Sequence, residues 1–424
     1  MTPENHGPTT LSPARIRFAL LALAMGGFGI GATEFVAMGL LPDMAADLLP
    51  GLSAESTDAA NAAAGWIISA YALGVVVGAP TIAAAAARWP RKRLLLALLA
   101  AFSLGTIASA LLPTFELVVA ARFLAALPHG AYFGIASLVA ASLMGPGKRA
   151  RGVALVLSGL TIANVVGVPL ITWLGQQAGW RIAYLAVAGI FVATFLAVAI
   201  AVPWQPGDAG ATMTRELRIF TRTQAWFALA IGAIGFGGLF AVYSYVAPLA
   251  TEVTGLPAGA VPIVLVVFGL GMTAGNLVGG RLADWSVRRS MYLFFGVLAG
   301  GLVLLGLTAQ HPPGLGVGVF LVGAAAAALS PTIQARLMDV ARDSQSIAAA
   351  LNHSALNIGN SLGAILGGIV IAEGLGYVAP VWVGLLLTIA GIVLAACTFA
   401  LDRSRQRRGI PLPSVTGAFR AVGE

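Results

Sequence analysis

A chain of 424 residues with 58% hydrophobic and only 9% charged side chains lies far from the soluble norm of about 25% charged, and reads as a polytopic membrane protein. Its net charge of +8 would suit nucleic acid, but the basic residues fall in short clusters between apolar runs rather than on one polar face, which excludes that partner. One cysteine, Cys397, leaves no disulfide framework and no thiolate metal cluster.

Counting apolar runs between polar breaks predicts an all-α fold of twelve membrane spans, at 18–42, 61–87, 94–112, 117–143, 150–173, 181–203, 225–250, 258–283, 290–308, 314–336, 345–372 and 378–400. The run after Arg15 and Arg17 exceeds the 7 to 15 residues of a signal peptide's apolar core and reads as a retained first helix. Residues 1–203 then form one six-helix half and 225–403 the other. Residues 204–224, with Pro206, Gly207, Asp208, Arg215, Glu216, Arg218 and Arg222, form a cytoplasmic linker, and 404–424 a cytoplasmic tail.

The first span carries the most informative residue. Glu34 is the only ionisable side chain between Arg17 and Asp43, and at ~1.5 Å per residue it lies on the order of 13 Å below Asp43, inside the hydrocarbon. Insertion of such a group costs at least ~2.5 kcal/mol, so its presence points to function. Hydrogen bonding to a neighbouring helix is the structural alternative.

In the fourth span, Arg122 and His129 stand seven residues apart, about two turns, and share a face. Their depths bracket that of Glu34. Asn164 falls near the centre of the fifth span. In the eleventh, His353, Asn357 and Asn360 make a polar stripe at i, i+4 and i+7 that is expected to face the interior. Tyr243 and Tyr245 of the seventh span and Asn276 of the eighth are further candidates for a substrate cavity.

Orientation follows from the basic residues. The N-terminus, the even-to-odd connections and the tail hold 22 of the 24 Lys and Arg, Arg122 and Arg181 being the exceptions. Both termini are then cytoplasmic and the span count even. The halves also repeat one another: Gly78 and Gly275, Arg91-Lys92 and Arg288-Arg289, and Gly179-Trp180 and Gly376-Tyr377 are each 197 residues apart, while Ser158 and Ser354, Asn164 and Asn360, and Gly167 and Gly363 are each 196 apart. Six pairs in register argue for a six-plus-six parallel repeat.

The stretch Gly31-Ala-Thr-Glu34-Phe-Val-Ala-Met-Gly-Leu-Leu-Pro-Asp43, taken with this pattern, resembles the major facilitator superfamily. Within it the chain is similar to the twelve-helix drug:proton antiporter branch that includes bacterial arabinose, nucleoside and chloramphenicol exporters, over residues 15 to 400. That resemblance implies contact between the first and fourth helices, and proton coupling through Glu34, Arg122 and His129. It implies conformational-switch loops of the form G-x-x-x-D-R-x-G-R-R. The second copy keeps Gly280, Asp284, Arg288 and Arg289, whereas the first keeps only Arg88, Arg91 and Lys92, with Ala83 and Ala87 in place of the glycine and aspartate. Gly159, Gly167 and Pro169 resemble the antiporter motif of the fifth helix, interrupted by Val168.

No enzyme signature is present: the four histidines at 6, 129, 311 and 353 lack metal-ligand spacing, and no Walker loop occurs. Neither cofactor nor metal is expected. The expected function is proton-coupled efflux of a small organic molecule by a monomer in a bacterial inner membrane, its partners being substrate, protons and lipid. An uptake symporter of the same fold is the alternative, and a membrane enzyme a third class.

Overall fold

The computed structural model describes residues 12–86, 88–144, 149–207, 221–341 and 345–407. Twelve helices among them are long and apolar enough to cross a bilayer: α1 Pro13–Gly39, α2 Thr57–Ile82, α3 Arg91–Leu111, α4 Phe115–Met144, α5 Gly152–Ala178, α6 Trp180–Ala201, α7 Thr223–Tyr243, α8 Ala258–Ala283, α9 Trp285–Thr308, α10 Pro312–Val340, α11 Leu351–Ala372 and α12 Ala379–Ser404. A helix satisfies every backbone polar group within its own segment, which is why uncharged apolar runs of this length adopt it in lipid.

Several ends differ from expectation, α5 running to Ala178 rather than 173 and α7 stopping at Tyr243 rather than 250, and two of the differences have local reasons. α1 starts at Pro13 rather than 18 because Ser12 Oγ accepts from the Arg15 amide at 3.3 Å and proline fits the first turn. α12 runs on to Ser404, bringing Asp402 into the helix.

The repeat is visible as packing. A Cβ on Gly74 or Gly78 would strike the carbonyls of Phe123 or Leu127, and one on Gly271 or Gly275 those of Phe320 or Ala324. Each partner is also displaced by 197 positions (320 − 123 and 324 − 127), so α2 crosses α4 as α8 crosses α10, backbone against backbone. Gly179 and Gly376, equally spaced, turn the chain into α6 and α12 at φ of 95° and 74°, a left-handed conformation that favours glycine.

At the predicted outer face, Arg181 stitches three connections together. It meets Asp47 Oδ2 at 3.0 Å and donates to the carbonyls of Ala110 and Leu112 at 2.9 and 3.0 Å. Local bonding thus accounts for one of the two basic residues that break the topological count. The halves touch at this face: Asn61 Nδ2 donates to the Tyr377 hydroxyl at 2.8 Å, and Gln176 Nε2 to the Ala258 carbonyl at 2.9 Å.

Candidate functional site

α4 is interrupted at Leu127-Pro128, where the helix Phe115–Ala126 ends and His129–Met144 begins. Pro128 has no amide hydrogen to give the preceding turn and its ring crowds it. The interruption separates Arg122 from His129, so they reach the site from two half-helices.

Arg122 is fully buried, so its charge does not reach along the helix to the membrane surface as long basic side chains near helix ends often do. Its Nη1 donates to Thr33 Oγ1 at 3.0 Å, so α1 and α4 are in contact. The guanidinium lies over the Tyr71 ring at 4.2 Å and faces Tyr184 at 5.3 Å. Its Nε and Nη2 have no hydrogen-bond partner, and among the described residues no carboxylate forms an ion pair with it. Two aromatic faces thus take the place of a contacting counter-ion, an arrangement worth about 2 kcal/mol when desolvated.

Glu34 is 6% exposed and points inward from α1. Its Oε2 lies 4.0 Å from His129 Nδ1, which also lies 3.3 Å from the Tyr71 hydroxyl. From the other half, Asn360 approaches the carboxyl short of full hydrogen-bond geometry, since both its amide atoms are buried and unpartnered. Glu34 therefore sits on the seam between the halves.

His129, Phe133 and His353 form a triangle of rings. Centroids are 5.4 Å apart for His129 and Phe133, 6.0 Å for His129 and His353, and 5.5 Å for Phe133 and His353, the last pair parallel to within 1°. Tyr243 is buried, stacked on Phe268 at 4.3 Å and tilted against Phe35 at 5.5 Å.

The remaining candidates divide. Asn164 lies in a π-helical segment, Ala163–Gly167, with its Oδ1 buried and unpartnered. Pro169, four residues beyond Val165, withholds the amide that would close a regular α-turn there, and such bulges recur at functional sites. Gly159 packs on the Ala24 carbonyl and Gly167 on the Phe28 ring, so this motif seats α5 against α1. Asn357 spends its Nδ2 on the His353 carbonyl of its own helix at 3.0 Å, leaving Oδ1 free inside. Tyr245 donates to the Ala364 carbonyl at 2.7 Å. Asn276 is exposed beside exposed Leu277 and Val278, and no described contact joins it to Glu34.

The described contacts of the loop residues stay within their own half or reach the adjoining linker. The Arg91 amide donates to the Gln205 carbonyl at 3.0 Å, and Lys92 Nζ to the Ala199 carbonyl at 2.6 Å, holding the end of α6. Arg88 is exposed, and its carbonyl packs against Gly207. Arg288 lies 6.0 Å from the Phe399 ring and Arg289 5.0 Å from that of Trp285. Gly280 has open space around it, and the Asp284 side chain lies outside the described residues.

Sequence reasoning missed Thr33, Tyr71, Tyr184 and Phe133, which look like ordinary apolar-helix residues until the helices pack. It also missed a buried pair at the other end of the C-terminal half. Arg336 Nη2 meets Asp402 Oδ2 at 2.6 Å, and Gln224 donates to Asp402 Oδ1 at 2.6 Å. Asp402 is thus a further buried carboxylate within a span, two residues from its helix end. No group of three or more His, Cys, Asp or Glu among the described residues could hold a metal ion.

Comparison with known proteins agrees with this architecture. The sequence model of the Major Facilitator Superfamily matches residues 23–285 and 229–423. The chain is 39% identical over 363 residues to the inner membrane transport protein YdhP of Escherichia coli strain K12, covering 86% of this chain and 91% of that one. It is 33% identical to a chloramphenicol resistance protein of Streptomyces lividans, covering 88% and 94%. Solved structures share the fold. A bacterial homologue of the lysosomal transporter Spinster superposes with a TM-score of 0.70 at 16% identity, covering 94% of this chain and 99% of that one. A D-xylose-proton symporter gives 0.68 at 17%, covering 89% and 97%.

Proposed function

Because this chain belongs to the major facilitator superfamily, a family of transporters, we propose that it is a proton-coupled exporter of a small neutral organic molecule in the bacterial inner membrane, with both termini cytoplasmic. The observation that carries the reading is the placement of Glu34. It is a buried carboxyl on the seam between halves, faced by Arg122 and His129 from one half and Asn360 from the other. A group that faces both halves can change its proton and its partners when the halves rock, which is what coupling demands. The relative named for chloramphenicol resistance supports export of a drug-like compound.

Arg122 does not need Glu34 as a contacting partner, because Tyr71 and Tyr184 already cover it. The carboxyl is thereby free to accept and release a proton. A cationic substrate would require a dedicated carboxylate to offset its desolvation, and Glu34 is committed to the proton. The unpartnered buried amide atoms of Asn164, Asn357 and Asn360, with the buried aromatic pair Phe35 and Tyr243, suit a neutral molecule that makes hydrogen bonds. The basic loop residues and the Gly159 to Pro169 segment set how the helices move against one another.

The test is a substrate screen in proteoliposomes with an imposed pH gradient, followed by the direction of accumulation in energised inverted vesicles. Proton-driven accumulation inside inverted vesicles is expected. Accumulation in right-side-out vesicles would make the protein an uptake symporter, and preference for lipophilic cations would overturn the substrate class.

A further inference from the structure

We infer that His353 is a station of the proton path, relaying protons between His129 and the predicted cytoplasmic side, rather than part of the substrate cavity. This rests on the reading that Glu34 is the proton carrier.

Three observations point there. Burial relaxes along one line: Glu34 and His129 are 6% and 2% exposed, whereas His353 is only partly buried. The three groups are also neighbours in space, with Glu34 Oε2 4.0 Å from His129 Nδ1 and the His129 and His353 ring centroids 6.0 Å apart, a spacing that a bridging water could span. Finally, the path crosses between halves, since His129 lies on α4 and His353 on α11. Rocking of the halves would then make and break the relay together with access to Glu34.

The surroundings leave His129 as the partner. Tyr71 of α2 bonds His129, and Arg122 of α4 lies against the rings of Tyr71 and Tyr184. Tyr243 of α7 stacks on Phe268, and Arg336 of α10 is paired with Asp402 of α12. Among the described residues His129 is the titratable group in ring contact with His353. Phe133, parallel to the His353 ring, fixes its plane without competing for its nitrogens.

The step balances. A neutral imidazole binds a proton at one ring nitrogen, becomes imidazolium, and releases a proton from the other nitrogen, returning to the neutral form as its second tautomer. No oxidant, metal or co-reactant is needed.

The test is substrate-free. The full chain is reconstituted in lipid, and its protonated-carboxyl infrared band is identified as the band lost in Glu34→Gln. The rate at which that band shifts on transfer to heavy water is then measured over a range of pH. His353→Gln and His353→Phe are both expected to slow the shift by roughly a hundredfold, the scale of a positioned proton-transfer group, with band intensity retained. His353→Phe keeps an aromatic ring against Phe133, so it separates proton relay from packing. An unchanged rate in either variant, or slowing in the glutamine variant alone, would overturn the inference. Absence of a Glu34 band in the wild type at every pH would instead remove Glu34 as proton carrier, and the reading of function with it.

Discussion

Glu34 Oε2 and His129 Nδ1 lie 4.0 Å apart, brought together from α1 and from the second half of an interrupted α4. Neither residue has solvent to fall back on, so the ionisation of one is felt by the other.

Glu34→Gln keeps the shape of the side chain and removes its titration. Gradient-driven transport is expected to be lost, while equilibrium binding of a neutral ligand changes by less than about tenfold, or ~1.4 kcal/mol. Flux in proteoliposomes beside calorimetric binding measures both. A larger loss of affinity would make Glu34 a substrate contact.

Arg122→Lys keeps the charge but not the planar group that lies over Tyr71 and faces Tyr184. An ammonium is a compact, strongly hydrated charge that cannot replace those ring contacts. Proton-driven flux is expected to fall by about tenfold or more, equivalent to ~1.4 kcal/mol, with normal amounts of inserted protein. Full activity in the lysine variant would show that charge alone suffices.

Asn61 and Tyr377 join the halves at the predicted outer face at 2.8 Å. Replacing both with cysteine, in a chain where the exposed Cys397 is changed to serine, leaves two thiols too far apart for a direct disulfide, but a reducible bifunctional thiol reagent that spans the removed tyrosine ring should link them and stop transport until it is reduced. Transport that continues through the cross-link would show that these ends do not separate.

The Tyr377 phenol is pushed above its ordinary range, chiefly by burial and further by Asp58 and Glu252, against a lowering by Asn61. The folded chain therefore holds the proton after an unfolded tyrosine has lost it at about pH 10. The stability lost on alkalinisation comes from burial of the neutral phenol: it is full at neutral pH and falls as pH rises beyond that point. Thermal unfolding of Tyr377→Phe, about 1 kcal/mol weaker at neutral pH, should lose less on alkalinisation than the wild type.

Gly78→Ala and Gly275→Ala place a Cβ against the Leu127 and Ala324 carbonyls. Each should destabilise the protein by about 1–3 kcal/mol through overpacking, and by similar amounts because the two crossings match. Melting of the purified protein in detergent measures both. A loss confined to one half would separate the repeat in sequence from the repeat in packing.

Length, apolarity and spacing alone were enough to read the number of helices, the all-α class and the repeat. Bilayer thickness turns length and apolarity directly into spans, and an offset of 197 can be read without coordinates. The sequence also singled out Glu34, since a lone carboxylate within an apolar run is conspicuous on energetic grounds. The company Glu34 and Arg122 keep was decided only by tertiary structure. Tyr71, Tyr184, Thr33 and Phe133 are unremarkable in their own helices and become an arginine cage and a ring triangle only when α1, α2, α4, α6 and α11 converge. Asn357 shows the converse: its place on the polar stripe was legible, but the bond of its Nδ2 to the His353 carbonyl was not, because helical periodicity fixes which face a side chain occupies and not which acceptor it finds there.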